Sequence, residues 1–377
     1  MSGPGISQEG STTMWHYRNP VDIHAGRGAL AQLPALLQGR RALVITFPEA
    51  VALGLDARLR SLLGDQLAAV ETGVQPNPDV SWLAPMYERL WRDHADVDCI
   101  IAVGGGSVID CAKAMLAPTP SGTFAELLAL LAGATAPDAG RPRSLIAIPT
   151  TAGTGSEVTP WATLWDQARG RKHSLHQPWS WPEAAIVDAD LMLSLPRGST
   201  LASGLDALSH ALESLWNVHR NPVSASLAVS AARDIITTLP LLLARLDDVA
   251  LRERMAVAAL QAGLAFSNTK TALAHSLSYD LTLEHGVVHG IACSFSLPRV
   301  MALAMGADDA LDALLLRIFD ADSTDAAIDR LTRFLEGLGV STDPGSYGLD
   351  EAEWPQRVDQ ALQGPRGRNF ITTGATR

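Results

Sequence analysis

Cysteine is scarce in this chain: Cys99, Cys111 and Cys293 are the only three in 377 residues. Their spacing fits neither a zinc ribbon nor a disulfide framework, so a stapled extracellular miniprotein is excluded and a reducing, cytoplasmic setting is expected. Basic residues are also few. Lys and Arg number 29 against 40 Asp and Glu, a formal charge of −11, and no basic block of five or more occurs. Nucleic acid is therefore not an expected partner. Long apolar runs are missing too. The run at 127–136 falls far short of the roughly 20 residues that a helical span requires, and no basic stretch followed by an apolar one opens the chain. Neither a membrane segment nor a secretion signal is expected. What is present is length, enough for one large domain or two ordinary ones around a sizeable core.

The first thirteen residues are rich in Gly, Ser and Thr without periodicity and are read as a flexible leader, with the ordered chain starting near Trp15. From Arg41 the pattern becomes strand then helix. ALVIT at 42–46, CIIAV at 99–103 and LIAIP at 145–149 are short apolar runs, with a helical stretch near 56–63. Continuous apolar strands separated by helices indicate a parallel sheet covered on both faces. After Leu195-Pro196 the texture changes: 199–243, 249–264 and 307–338 carry apolar residues at helical spacing. The expected architecture is an α/β domain over 14–195 and an all-helical domain over 196–377, with Ser199 or Thr200 capping the first helix of the second.

Two junctions in the first half have ligand-binding chemistry. IAVGGGSVIDCAKA joins a buried strand to a helix through Gly104, Gly105, Gly106 and Ser107. Glycines let the backbone approach closely, and amide N–H groups at a helix N-terminus face an anion, so a diphosphate fits. The spaced-glycine dinucleotide fingerprint and the Walker loop are both absent. Asp110 and Lys113 follow on the helix as structural or cofactor-orienting groups. PTTAGTGSEVTPWA at 149–162 supplies the hydroxyls of Thr150, Thr151, Thr154 and Ser156 after another buried strand. Both junctions sit where ligands bind in open parallel sheets, although each alone also reads as a plain tight turn.

In the second half, Asp206 and His210 stand four residues apart on one helical face, as a metal-gripping pair or a surface hydrogen bond. Further on, His275, His285 and His289 lie among apolar residues, and a buried imidazole needs a partner. His289 reads as buried and His285 as an exposed loop residue, which favours His275 and His289. One carboxylate with three imidazoles suits Fe(II) or Zn(II) rather than magnesium.

Taken in order, these segments resemble the iron-dependent (group III) alcohol dehydrogenase family over nearly the whole chain. GGGSVIDCAKA is similar to its cofactor loop, PTTAGTGSEVT to its second loop, SGLDALSHALES to its metal helix and HGIACSFSLPRV to its HG segment. The resemblance implies Asp206, His210, His275 and His289 as metal ligands and Gly104 to Ser107, Asp110, Thr150, Thr151, Thr154 and Ser156 as the NAD(H)- or NADP(H)-binding residues. It also implies a catalytic neighbourhood of His275 and Tyr279, an N-terminal nucleotide-binding domain and a C-terminal helical metal domain. Tyr279 stands where many members carry a second histidine, so a histidine relay is not expected there and Tyr279 shapes the pocket. Val288 replaces a common Pro. Phe47 falls where NAD-preferring members often have Asp, which admits NADPH.

Within the family, NTKTALAHSLSY, HGIACSFSLP and WHYRNPVDIHAGRGAL are most similar to the phosphonoacetaldehyde reductases of phosphonate pathways. This implies reduction of phosphonoacetaldehyde to 2-hydroxyethylphosphonate, with Lys270 and Arg299 as candidates for the anionic head and Arg368 as a weaker one. The metal would polarise the carbonyl as hydride arrives, and no general acid stands out. Other readings are a dehydrogenase of the same family acting on a short alcohol, diol or hydroxy acid, a dehydroquinate-synthase-like lyase, and a nucleotide-binding sensor. A homodimer is expected.

Overall fold

The computed structural model describes residues 14–132 and 142–371, so the 1–13 leader and the end of the 127–136 run lie outside the described residues. Six parallel strands form one sheet in the order β1-β8-β5-β4-β2-β3. They are β1 (Asp22–Ala25), β2 (Ala42–Thr46), β3 (Leu67–Glu71), β4 (Cys99–Gly104), β5 (Ser144–Pro149) and β8 (Ala184–Val187). β6 (Trp161–Asp166) and β7 (Arg171–His176) make a separate antiparallel hairpin. The three apolar runs are β2, β4 and β5, three of the four interior strands, and alternate residues feed two cores. Leu43, Ile45, Ile100 and Leu145 pack on one face, while Val44, Ile101, Val103 and Ile146 pack on the other. Burial on both sides explains why these strands read as unbroken apolar runs.

From Arg197 onward the described chain is helical. The run at 199–243 is two helices, Arg197–Leu215 and Pro222–Ala244, because Asn221 caps the second through Val223 and Ser224 and Pro222 starts it. The capping expectation is corrected. The first helix starts at Arg197 with Pro196 at its cap position, and Ser199 and Thr200 lie inside it. The run at 307–338 is likewise two helices, Asp309–Phe319 and Thr324–Gly337. Helix Pro222–Ala244 is long and apolar enough to cross a membrane by length and composition, which the sequence reading passed over. Here Ala228, Ala231, Ile235, Leu239 and Leu242 bury it in the helical core, beside helices Arg197–Leu215 and Val249–Thr269.

Candidate active site

Both glycine-rich junctions stand at the carboxyl ends of neighbouring strands, β4 and β5, and they touch. The Thr150 N–H donates to the Gly104 carbonyl at 3.0 Å. A Cβ on Gly106 would come within 2.6 Å of Thr154, so the loops pack this closely only without a side chain there. Gly105, Gly106, Ser107, Thr150, Thr151 and Thr154 line a cavity of about 850 Å³ between the sheet ends and helix Arg197–Leu215. Phe47 and Glu49, just past β2, line its far end. The helix Gly106–Ala114 aims its N-terminal amides at this space.

Asp110 and Ser156 lie behind that wall. Asp110 Oδ1 accepts from Ser156 Oγ at 2.7 Å and Oδ2 from the Thr163 N–H at 2.8 Å. Lys113, fully buried, donates to Ser156 O, Ser156 Oγ and Trp161 O at 2.7, 2.8 and 2.7 Å. These bonds fix the second loop to the first, and both side chains are fully engaged. Burial pushes Lys113 down to about 8 and Glu157 beside it up to about 7.

A second cavity, about 510 Å³, opens on the helical side and shares Thr154, Asp206 and His289 with the first. Here Asp206 Oδ1 is the meeting point of three imidazoles. Nε2 of His275, His210 and His289 stand 3.4, 3.8 and 3.9 Å from it. Asp206 and His210 come from one face of helix Arg197–Leu215, His275 from the start of helix Leu273–Glu284, and His289 from the start of helix His289–Ser294. His289 is not buried as expected: 38 % of its side chain is exposed, because its helix end faces the cavity. His285 is exposed in the connecting loop, as the sequence suggested.

Donor chemistry here fits a divalent cation. Asp206 Oδ1 and His275 Nε2 are buried without a hydrogen-bond partner among the described residues, a costly state unless something else satisfies them. Burial alone would raise the Asp206 carboxyl, but the imidazoles of His210, His275 and His289 outweigh it and hold it well below the usual carboxylate range. Burial pushes His210 down to about 4, leaving a carboxylate and a neutral imidazole, the forms a metal takes.

Four neighbours escaped the sequence reading. Glu213, three residues past His210 and wholly buried, accepts from His275 Nδ1 at 2.6 Å and from the His275 N–H at 3.2 Å. That bond orients the ring so that Nε2 faces Asp206. Cys293 Sγ lies 3.5 Å from His289 Nε2, and one donor atom each from Asp206, His275, His289 and Cys293 falls within 4.8 Å of the others. Its spacing from His289, four residues on one helix, is the signal that paired Asp206 with His210. Phe266 stacks on His210 with centroids 4.1 Å apart. Lys172, from β7, lines the same cavity.

Glu213→Gln is expected to weaken metal retention by about 10–100-fold through a misdirected His275, read as residual metal after dialysis against a chelator. Unchanged retention would make Glu213 merely a buried ion-pair partner.

Of the remaining sequence candidates, Lys270 and Tyr279 line the helical-side cavity. Arg299 does not. Its guanidinium pairs with Glu351 at 2.7 Å and lies over Trp354, so its assignment to the anionic head is corrected.

A family model described as iron-containing alcohol dehydrogenase matches residues 20–189, and one for the C-terminal region of that family matches residues 200–373. The chain is 34 % identical over 361 residues to long-chain-alcohol dehydrogenase 1 of Geobacillus thermodenitrificans, covering 92 % of this chain and 90 % of that one. It is 35 % identical over 274 residues to phosphonoacetaldehyde reductase of Streptomyces viridochromogenes, 69 % of each chain. Sulfoacetaldehyde reductase of Bifidobacterium kashiwanohense, solved in complex with NAD+, superimposes with a TM-score of 0.86 at 29 % identity, covering 96 % of this chain and 95 % of that one. The lyase and sensor readings are thereby set aside. Matched through both halves, the chain belongs to the iron-containing alcohol dehydrogenase family of oxidoreductases.

Proposed function

We propose that this oxidoreductase reduces phosphonoacetaldehyde to 2-hydroxyethylphosphonate, using NAD(H) or NADP(H) and one divalent cation, Fe(II) or Zn(II). The observation that carries the general chemistry is the meeting of the two cavities at Asp206 and His289, which sets a dinucleotide cleft against a cluster of metal donors. The substrate reading is supported by two relatives whose names specify two-carbon aldehydes with an anionic head, a phosphonate and a sulfonate.

In this reading Gly105, Gly106 and Ser107 take the cofactor diphosphate on backbone amides, and Thr150, Thr151 and Thr154 supply hydroxyls from the opposite wall. Asp206, His210, His275 and His289 would hold the cation. When bound, the cofactor supplies hydride and the cation supplies a Lewis acid that favours negative charge on the substrate oxygen. Glu213 and Phe266 hold His275 and His210 in place. Burial pushes the Tyr279 phenol up to about 12, so it stays protonated and acts as a pocket wall rather than a base. Phe47 stands where a carboxylate would repel a 2′-phosphate, while Glu49 two residues on lines the same end of the cleft, which is why both cofactors belong in the assay. We place the boundary between the two functional domains at 195/196.

The test follows loss of reduced nicotinamide with each cofactor, on metal-loaded and chelator-stripped protein, across phosphonoacetaldehyde and uncharged aldehydes of similar size. The reading expects turnover only with metal and the highest kcat/KM for phosphonoacetaldehyde. Faster reduction of the uncharged aldehydes would overturn the phosphonate assignment and favour an ordinary alcohol dehydrogenase of the family.

A further inference from the structure

The helical-side cavity carries cations that the metal cluster does not use. Lys172, on β7, holds its Nζ 3.6 Å from the Tyr279 ring centroid, and the Arg366 guanidinium carbon lies 4.7 Å from the same centroid. Arg366 spends its Nε–H on Thr271 Oγ1 at 3.0 Å. Among the described residues no carboxylate stands within 4.0 Å of either cation, and neither Lys172 Nζ nor the two terminal nitrogens of Arg366 has a hydrogen-bond partner. Asp110, a carboxylate lining the same cavity, is already occupied by Ser156 and Thr163.

Two like charges beside one ring, both half-buried, repel each other. Burial, and then Arg366, push the Lys172 ammonium down to about 6, and an anion seated between the two cations would favour its protonated form. Lys270, on the same cavity, sits at φ 67° and ψ 173°, a conformation nearly reserved for glycine. It is kept there by its N–H bond to Phe266 O at 2.7 Å and by Asn217 Nδ2 donating to its carbonyl at 3.1 Å. Strain of this kind persists where surrounding structure enforces it, characteristically at ligand sites.

We infer that Lys172 and Arg366, set against Tyr279 beside His275 and His289, form the seat for the tetrahedral oxyanion of the substrate. The inference rests on the aldehyde-reductase reading above and adds which residues select the charged substrate. A forked guanidinium and a point-charge ammonium together suit a phosphonate or sulfonate whose oxygens face two directions. Lys172 comes from the sheet domain's hairpin and Arg366 from the far end of the chain, so the seat joins the two halves of the molecule.

The experiment compares kcat/KM for phosphonoacetaldehyde, sulfoacetaldehyde and 3,3-dimethylbutanal, a neutral molecule of the same shape, in the native chain and in Lys172→Met, Arg366→Gln and Lys172→Arg. Calorimetry with methylphosphonate and methylsulfonate on the cofactor-loaded enzyme reads the seat without turnover. Met and Gln variants are expected to lose about 10–100-fold on the charged aldehydes, chiefly in KM. They should change less than about threefold on the neutral one, which also serves as the folding control, and Lys172→Arg should recover most of the loss. Methylphosphonate binding should weaken in parallel. A dianion draws more from two cations than a monoanion does, so the loss should be larger for the phosphonate. A larger loss for the sulfonate would keep the seat and identify the sulfonate as its ligand. Equal losses on charged and neutral aldehydes, or unchanged kcat/KM for the charged ones, would overturn the seat while the reductase reading stands. Absence of any aldehyde turnover would overturn the reductase reading, and methylphosphonate binding that the variants abolish would then still support the seat.

Discussion

Asp206→Asn is expected to strip the protein of its metal and lower kcat by about 10³-fold, while cofactor binding is kept. The reason is the convergence on one atom: three imidazole Nε2 atoms lie within 3.9 Å of Asp206 Oδ1, which has no hydrogen-bond partner of its own. An amide of the same shape carries no charge and is a weak ligand, so the site loses its anionic member without losing volume. Taking the carboxylate out from among three imidazoles is also expected to destabilise the metal-free fold, so a thermal melt accompanies the metal and turnover readings. Cofactor affinity survives because the diphosphate wall, at 105–107 and 150–154, belongs to strand ends that Asp206 does not hold. Metal content by elemental analysis, kcat, and cofactor titration check the three parts. A variant keeping a full equivalent of metal and native turnover would remove Asp206 from the centre.

Gly290→Ala should be nearly as damaging, although residue 290 offers no donor. A Cβ there would meet the Ala202 carbonyl oxygen at 1.9 Å and the Ala202 carbonyl carbon at 2.7 Å. Both are backbone atoms of helix Arg197–Leu215, whose buried leucines and alanines fix it in the helical core. Helix His289–Ser294 must therefore withdraw, and His289 moves with it. A displacement of that order at a catalytic centre costs about 10²-fold in rate, and the overpacking costs about 1–3 kcal/mol of stability. Gly198→Ala is the matching control, because a Cβ at 198 meets nothing within 4 Å. Metal retention and thermal unfolding of the two variants distinguish a steric effect at 290 from a general intolerance of alanine. Equal behaviour of both would contradict the close approach.

This packing also shows what the sequence could and could not disclose. The strands at 42–46, 99–104 and 144–149 were legible because a parallel strand buried on both faces is apolar throughout. β1 and β3 were not, since they are the sheet's edges and stay partly exposed; β8 is buried and apolar but only four residues long, and β7, RKHSLH, is too polar to read as an apolar strand. Within the site, Asp206 and His210 were readable because one helix presents both. Glu213 was hidden by the same helix: its partner His275 lies 62 residues away, and no local pattern marks a carboxylate that orients a distant ring. Lys172 and Arg366 were equally silent, being brought to Tyr279 by tertiary folding alone. Arg299 failed for the complementary reason, because closeness in sequence to His289 did not bring its guanidinium into the cavity; it turned to Glu351.

The central claim is that one ion is held by Asp206, His210, His275 and His289 at the junction of the two cavities. Anomalous diffraction from crystals grown with Fe(II) or Zn(II) and the cofactor tests it most directly. The account predicts a single strong peak within bonding distance of Asp206 Oδ1 and the three Nε2 atoms, on the side facing the nicotinamide. A peak bonded elsewhere, or a peak that leaves His210 and Asp206 unbound, would contradict it.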